Sequence, residues 1–220
     1  MAYIGRTPTG SILTGADIAD GSISTSKIAD NAIVTGKITD GTIATGDIAD
    51  SAVTAVKTSG VGISMADQWR LSADFSLPAG TGDITSNIER ADSRGAGQIG
   101  SAMTVSSGVF TFPSTGFYLV TLNASFYTAA ADGNNTAAIK FTSDNSSYLT
   151  TAFIQQSTNA NSSVSFGTGS TSIMLDITNT STHKIKIEGG GGPSGGTPGV
   201  LRGSSEKNET TITFVRLGDT

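Results

Sequence analysis

The stretch 16–55 reads ADIADGSISTSKIADNAIVTGKITDGTIATGDIADSAVTA, and it limits what the chain can fold into more than any other segment. It holds eight five-residue units, each with one branched apolar residue at its centre: Ile18, Ile23, Ile28, Ile33, Ile38, Ile43, Ile48 and Val53. A small or short polar residue stands two positions before each centre, and every second unit ends in aspartate, at Asp20, Asp30, Asp40 and Asp50. The true period is therefore ten residues, made of two similar halves. An α-helix advances about 100° per residue, so each isoleucine would fall ~140° from the last and no apolar stripe would form. A straight strand fails too, because an odd spacing throws successive isoleucines onto opposite faces. All eight can point inward only if the chain turns between units. Asp20-Gly21, Asp30-Asn31, Thr35-Gly36, Asp40-Gly41 and Thr45-Gly46 place turn-forming residues at those boundaries. The pattern predicts a β-type solenoid or spiral, with isoleucines stacked on an axis and polar corners outside.

The unit small–x–aliphatic–x–x resembles the pentapeptide-repeat pattern, which implies a four-sided single-chain β-helix. Eight units would complete only two such coils, below the roughly three repeats that a stack needs. Three parallel copies wound about one axis would bury the isoleucines against each other instead. The decad style, IADGSI followed by KIADNAI, is similar to the shafts of bacteriophage fibre and virion proteins, and a three-chain shaft is the expectation taken from it. A flexible low-complexity linker is the alternative, against which stands the strict phasing of β-branched residues.

Outside the repeat, 220 residues leave room for one ordinary domain. The chain has no cysteine, which excludes a disulfide scaffold and thiolate chemistry. A net charge of −5, a pI near 4.7 and the lack of any Lys/Arg cluster argue against nucleic-acid binding. No apolar run approaches the roughly twenty residues of a membrane span, and no basic-then-apolar secretion signal is expected. The opening MAYIGRTP is similar to the starts of many marine phage structural proteins, which implies anchoring on a particle through Tyr3, Ile4, Arg6 and Pro8. The domains expected are an anchoring peptide at 1–15, the shaft at 16–55, a neck at 56–66 and a head at 67–220. Trp69 is expected to pack at the neck or under the first strand, with carbohydrate stacking as its other use.

From residue 67 onward, short β-like runs alternate with Gly/Asn/Ser turns. The strands expected are 68–73, 84–89, 109–112, 116–127, 136–142, 150–155, 163–168, 171–177, 184–188 and 209–217. Within 116–127, the face carrying Tyr118, Val120, Leu122, Ala124 and Phe126 is the cleaner core stripe. Many short strands at this spacing point to an all-β sandwich of jelly-roll type.

The run GVFTFPSTGFYLV at 108–120 resembles the C1q/TNF-like signature, G-x-F, a Pro/Gly turn, then G-x-Y opening a long core strand. The closing TITFVRL at 211–217 is similar to that family's last strand. This resemblance implies a compact threefold head on a stalk, with Phe110, Tyr118, Val120, Phe126 and Phe214 as core or trimer-axis residues.

Recognition is expected in loops. The segment GGGGPSGGTPGVLRG at 189–203 reads as one exposed loop near the edge or apex of the head, with Pro193, Thr197, Val200 and Arg202 as candidate recognition residues. The turns AADGNN at 130–135 and TSDNSS at 142–147 could supply oxygen ligands to Ca2+, though Asp and Asn are ordinary turn formers; no other cofactor is expected. An enzyme is not expected: His183 is the only histidine, no carboxylate pair stands out, and no phosphate-binding loop precedes a helix. The expected function is that of a phage virion protein. It would be a short homotrimeric tail fibre or spike, held to other virion proteins by its N-terminus and recognising a host-surface glycan or protein through the head. The alternative is a capsid decoration or head-fibre protein clasping threefold positions.

Overall fold

A computed structural model describes residues 18–53, 57, 62–128, 134–157, 164–191 and 199–220. The chain divides into two compact units, Met1–Thr54 and Ala55–Thr220, each taken by itself below. The anchoring candidates Tyr3, Ile4, Arg6 and Pro8 and the loop candidates Pro193 and Thr197 lie outside the described residues.

In the repeat, the backbone closes in two alternating ways. Once per decad a β-turn forms, with Ser22 N donating to Ala19 O (3.1 Å), Ala32 N to Ala29 O (3.0 Å), Thr42 N to Thr39 O (3.1 Å) and Ala52 N to Ala49 O (3.0 Å). Its third residue, Gly21, Asn31, Gly41 or Ser51, has φ between 62° and 79°, which is why small or Asx-type residues recur there. Between these lie single 3-10 turns at Thr25–Lys27, Thr35–Lys37 and Thr45–Asp47. They need no positive φ, so Ser26 stands where Gly36 and Gly46 do in the following decads. The five expected corners are thus turns of two kinds. No strand forms within 18–53, in contrast to the β-type coil expected. A pentad that spends four residues on a turn has too little chain left to build a ladder on its own. The apolar centres Ile18 to Val53 are 40–56% exposed, so this single chain wraps no core.

The second unit is two antiparallel sheets around one apolar core. In chain order the strands are β1 Met65–Leu71, β2 Ala73–Ser76, β3 Gly80–Asp83, β4 Ile88–Arg90, β5 Thr104–Ser106, β6 Val109–Thr111 and β7 Gly116–Thr128. There follow β8 Asn134–Thr142, β9 Leu149–Ser157, β10 Ser165–Ile177, β11 Lys184–Gly191, β12 Val200–Ser204 and β13 Thr211–Gly218. One sheet runs β2-β12-β7-β13-β1-β4, with β10 on the other side of β7; the second runs β5-β6-β11-β8-β9, with β3 on β11. The long strand β7 organises the first sheet. Its Tyr118, Val120, Leu122, Ala124 and Phe126 are buried, while Phe117 and Asn123 face outward. Phe110, Tyr118, Val120, Phe126 and Phe214 all lie in the interior, so none of them is available to line an axis between copies. Phe112 meets Tyr118 (4.8 Å) and Phe214 (6.1 Å), and Trp69 meets Phe110 edge-on (5.7 Å). Such aromatic pairs add about 0.5–1.5 kcal/mol each beyond their area. Trp69 is buried, which removes the carbohydrate-stacking option for it.

Three differences from the sequence expectation have a common cause. The runs 163–168 and 171–177 are one strand, β10. Gly167 and Gly169 do not break it: a Cβ on either would overlap Gln156 or Ile154 of β9, so glycine lets the two sheets approach. Segment 189–203 is not one exposed loop. Gly189 to Gly191 complete β11 and are buried, and Val200 and Arg202 stand in β12. A Cβ on Gly189 would lie 2.7 Å from Leu77 Cδ2, and one on Gly190 would overlap Gly80 O, so the residues before β3 and its start pack across these glycines. Strands β2, β3, β5 and β12 are short, polar or glycine-bearing and carry no alternation of their own; pairing alone defines them.

Candidate functional site

The two signature glycines are positional requirements. Gly108 has φ +79° and Gly116 φ +138°, and a side chain on either would collide with a backbone oxygen, of Ile84 and Gly218 respectively. They set the entry of β7, which begins at the end of the head where β1 starts and β13 finishes, with Met65 opposite Arg216 and Arg216 opposite Tyr118.

That end is pinned by a buried carboxylate. Asp67 accepts hydrogen bonds from Trp69 Nε1 (3.0 Å), Arg90 Nε (3.0 Å) and Met103 N (2.9 Å). The Arg90 guanidinium also lies 4.6 Å from the Trp69 ring centroid and donates to Met103 O (2.9 Å). Arg216 donates to Thr115 O (2.9 Å) and Ser64 Oγ (3.2 Å) and pairs with Asp219, tying Asp219 to the residue before β1. On the outward face nearby, Met174, Leu119, Val215 and Ala66 stand in register across β10, β7, β13 and β1, with Phe117 beside them. Met174 and Phe117 are exposed.

At the opposite end, Thr128, Asn134, Ser157, Gly191 and Val200 finish or begin β7, β8, β9, β11 and β12. There the outward face changes character. Phe166 of β10 is 61% exposed, meets the Tyr127 ring at 5.4 Å and carries the Arg202 guanidinium 5.5 Å from its centroid. Arg202 Nε lies 3.1 Å from Glu209 Oε2. The N–H is not aimed at that oxygen, so Oε2 is buried yet accepts no hydrogen bond. Glu209, Asn123, Thr168 and Ser170 line an open hollow beside this pair. Of the candidate recognition residues, Arg202 therefore belongs to a defined cluster, while Val200 pairs with Tyr127 in the sheet. Phe166, Thr168, Ser170, Asn123 and Glu209 were not singled out from sequence. The period-two order of SFGTGSTS, with glycines inward and the other side chains outward, is the signal that marks Phe166, Thr168 and Ser170; Asn123 and Glu209 carry no such local signal.

The outward face of the second sheet carries a charge network. Asp83 accepts from Lys140 (2.9 Å) and Lys186 (2.8 Å), Glu188 pairs with Lys140 (3.1 Å), and Lys186 lies over the Tyr148 ring at 4.2 Å. Partial burial acts to raise the Asp83 pKa, but the hydrogen bonds and charges of the two lysines outweigh it and hold the carboxyl below the usual range.

Residues 130–133 of the first expected Ca2+ turn lie outside the described residues, and the other described sequence candidates do not converge. Asp144 Oδ1 accepts from Ser147 N (2.8 Å), Ser146 N (2.8 Å) and Thr142 Oγ1 (2.7 Å), and these bonds hold its carboxyl well below the usual range. That oxygen caps its own turn and has little left for a cation. Among the described residues, no group of three or more His, Asp or Glu side chains could hold a metal. His183 accepts from Thr178 N (3.3 Å) and stacks edge-on against Phe141 (5.4 Å), which ties it to its turn.

No family model and no curated protein matches the chain. Solved structures similar to it include Eiger TNF from S. frugiperda, at 16% identity and a TM-score of 0.50, covering 70% of this chain and 93% of that one. Murine APRIL is similar at 10% identity and a TM-score of 0.46, with 70% and 98% covered. At these identities the likeness is one of fold. The head is an all-β, antiparallel jelly roll of the TNF-like kind.

Proposed function

We propose that the protein is a homotrimeric structural protein of a bacteriophage virion, a short tail fibre or spike. Its N-terminal segment docks on other virion proteins, its repeat forms a three-chain shaft, and its head recognises a glycan or protein on the host surface. The observation that carries this is the repeat itself: eight apolar centres in strict phase, each about half exposed, on a backbone that encloses nothing. Side chains of this kind need partners, and identical chains in register supply them at every level. The outward stripe of Met174, Leu119 and Val215 offers the head a second place for self-association. The chemistry of the head fits binding better than catalysis, since Asp67, Asp83, Glu188 and the histidine are engaged in ion pairs and a turn.

Light scattering on the purified chain tests the proposal. A mass near three times 22.2 kDa supports it, and a clean monomer refutes the shared shaft. Copy number per particle and the binding of the isolated protein to host cells then separate a tail fibre from a capsid decoration protein.

A further inference from the structure

Ion pairing divides the two units. All eight ion pairs among the described residues lie in the second unit. In the repeat, Asp20, Asp30, Asp40, Asp50, Lys27 and Lys37 are exposed and unpaired, and Asp47 accepts only from a backbone group, Ala44 N (2.9 Å). Over 18–53, five aspartates stand against two lysines, so these residues carry −3 of the chain's net charge of −5. We propose that the repeat is a salt-gated surface for self-association, through which copies of this chain join at high ionic strength and part at low. The proposal rests on the three-chain reading of the repeat and adds to it what regulates the assembly.

The imbalance comes from one position. Lys27 and Lys37 directly precede Ile28 and Ile38, but Asp47 takes that place before Ile48, so Asp40, Asp47 and Asp50 follow one another with no cation among them. Three copies joined through their repeats gather a net −9 there, whatever their register. Self-repulsion of that kind opposes a compact assembly. The attraction it opposes is limited, because the apolar centres are only 40–56% exposed in the single chain and have only that surface left to bury. Two lysines cannot balance five aspartates, and exposed ion pairs between copies would add little. Salt decides the outcome. At 0.01 M the screening length is about 30 Å, well beyond the ~10 Å between packed layers of chain, and at 0.5 M it is only about 4 Å. Asp47 is dispensable to the local fold, since the matching turns at Thr25–Lys27 and Thr35–Lys37 form with no side-chain cap.

The test is light scattering on the full chain over a concentration series, at neutral pH, in about 0.01 M and about 0.5 M NaCl. The expected result is a monomer–trimer midpoint about tenfold or more lower in the higher salt. Asp47→Lys brings the repeat to −1 per chain, and Asp40→Asn with Asp50→Asn does the same without adding a cation. Each should shrink the shift to about threefold or less. A midpoint that is equal in both salts, or higher in the stronger one, overturns the gate and leaves the three-chain reading standing. An equal shift in the parent and both variants overturns it too, because salt would then be acting on apolar contacts rather than on charge. A parent chain that stays monomeric at every salt and concentration sinks the three-chain reading and the gate with it.

Discussion

Replacing Ile28 and Ile38 together by aspartate should dissolve the shaft. Full burial of an isoleucine side chain contributes ~1.5–3 kcal/mol. The eight repeat centres are already about half covered in their own chain, so packing against other copies adds about 1 kcal/mol each, or about 8 kcal/mol per chain. Joining free chains costs on the order of 4–15 kcal/mol, so the shaft holds only a thin surplus. The double variant removes about 2 kcal/mol of burial per chain and places two carboxylates against an apolar axis, at a further ~2 kcal/mol or more apiece. The total, about 6 kcal/mol per chain, cancels most of what the shaft contributes. Light scattering should therefore show the parent near three times 22.2 kDa and the variant shifted toward the monomer. Ile28→Val with Ile38→Val should stay trimeric. A double aspartate variant with the parent mass and an unchanged melting curve would refute the isoleucine-axis reasoning.

Asp67→Ala leaves the Trp69 and Met103 donors without their acceptor and Arg90 without its counter-ion, at about 3–5 kcal/mol, discounted toward the lower end because Arg90 is partly exposed; a denaturant midpoint that barely moves would contradict this. Gly108→Ala forces a Cβ into the Ile84 carbonyl at φ +79° and should cost roughly 1–3 kcal/mol or more in a chemical melt, whereas Gly97→Ala, which meets open space without a positive φ, should cost little. For Asp83 the folded pKa lies below its unfolded value near 3.8. Its contribution is therefore present above that value and lost as pH falls through the folded pKa. Stability measured from about pH 5 down to about pH 2 should fall less steeply in Asp83→Asn than in the parent.

Much of the head was legible because its signals are local. Thirteen residues of β7 alternate so cleanly that the buried face could be named from spacing, and glycine at 108 and 116 marked backbone geometry that no other residue accepts. Segment 189–203 misled because glycine has no side chain to report its surroundings. The same GGG reads as an exposed loop in sequence and is a buried strand end where Leu77 and Gly80 lie across it. The hollow near Phe166 was hidden for a related reason: Glu209, just before β13, lies far along the chain from Asn123 of β7 and from Thr168 and Ser170 of β10, and the pairing of β13 and β10 with β7 brings them together.

By itself the sequence determined the decad period, the corner positions, the rejection of helix, and the all-β character of the head, since each follows from spacing and from the φ limits of single residues. Only the tertiary structure decided which glycines lie between strands rather than in loops, that Trp69 is core, that the repeat closes by alternating turns, and which polar side chains share one hollow. The repeat's turns are local in their hydrogen bonds, but the other outcomes depend on contacts between separate strands, as between Gly189 and Leu77 or Trp69 and Phe110, and no local pattern encodes what a residue will meet across the fold.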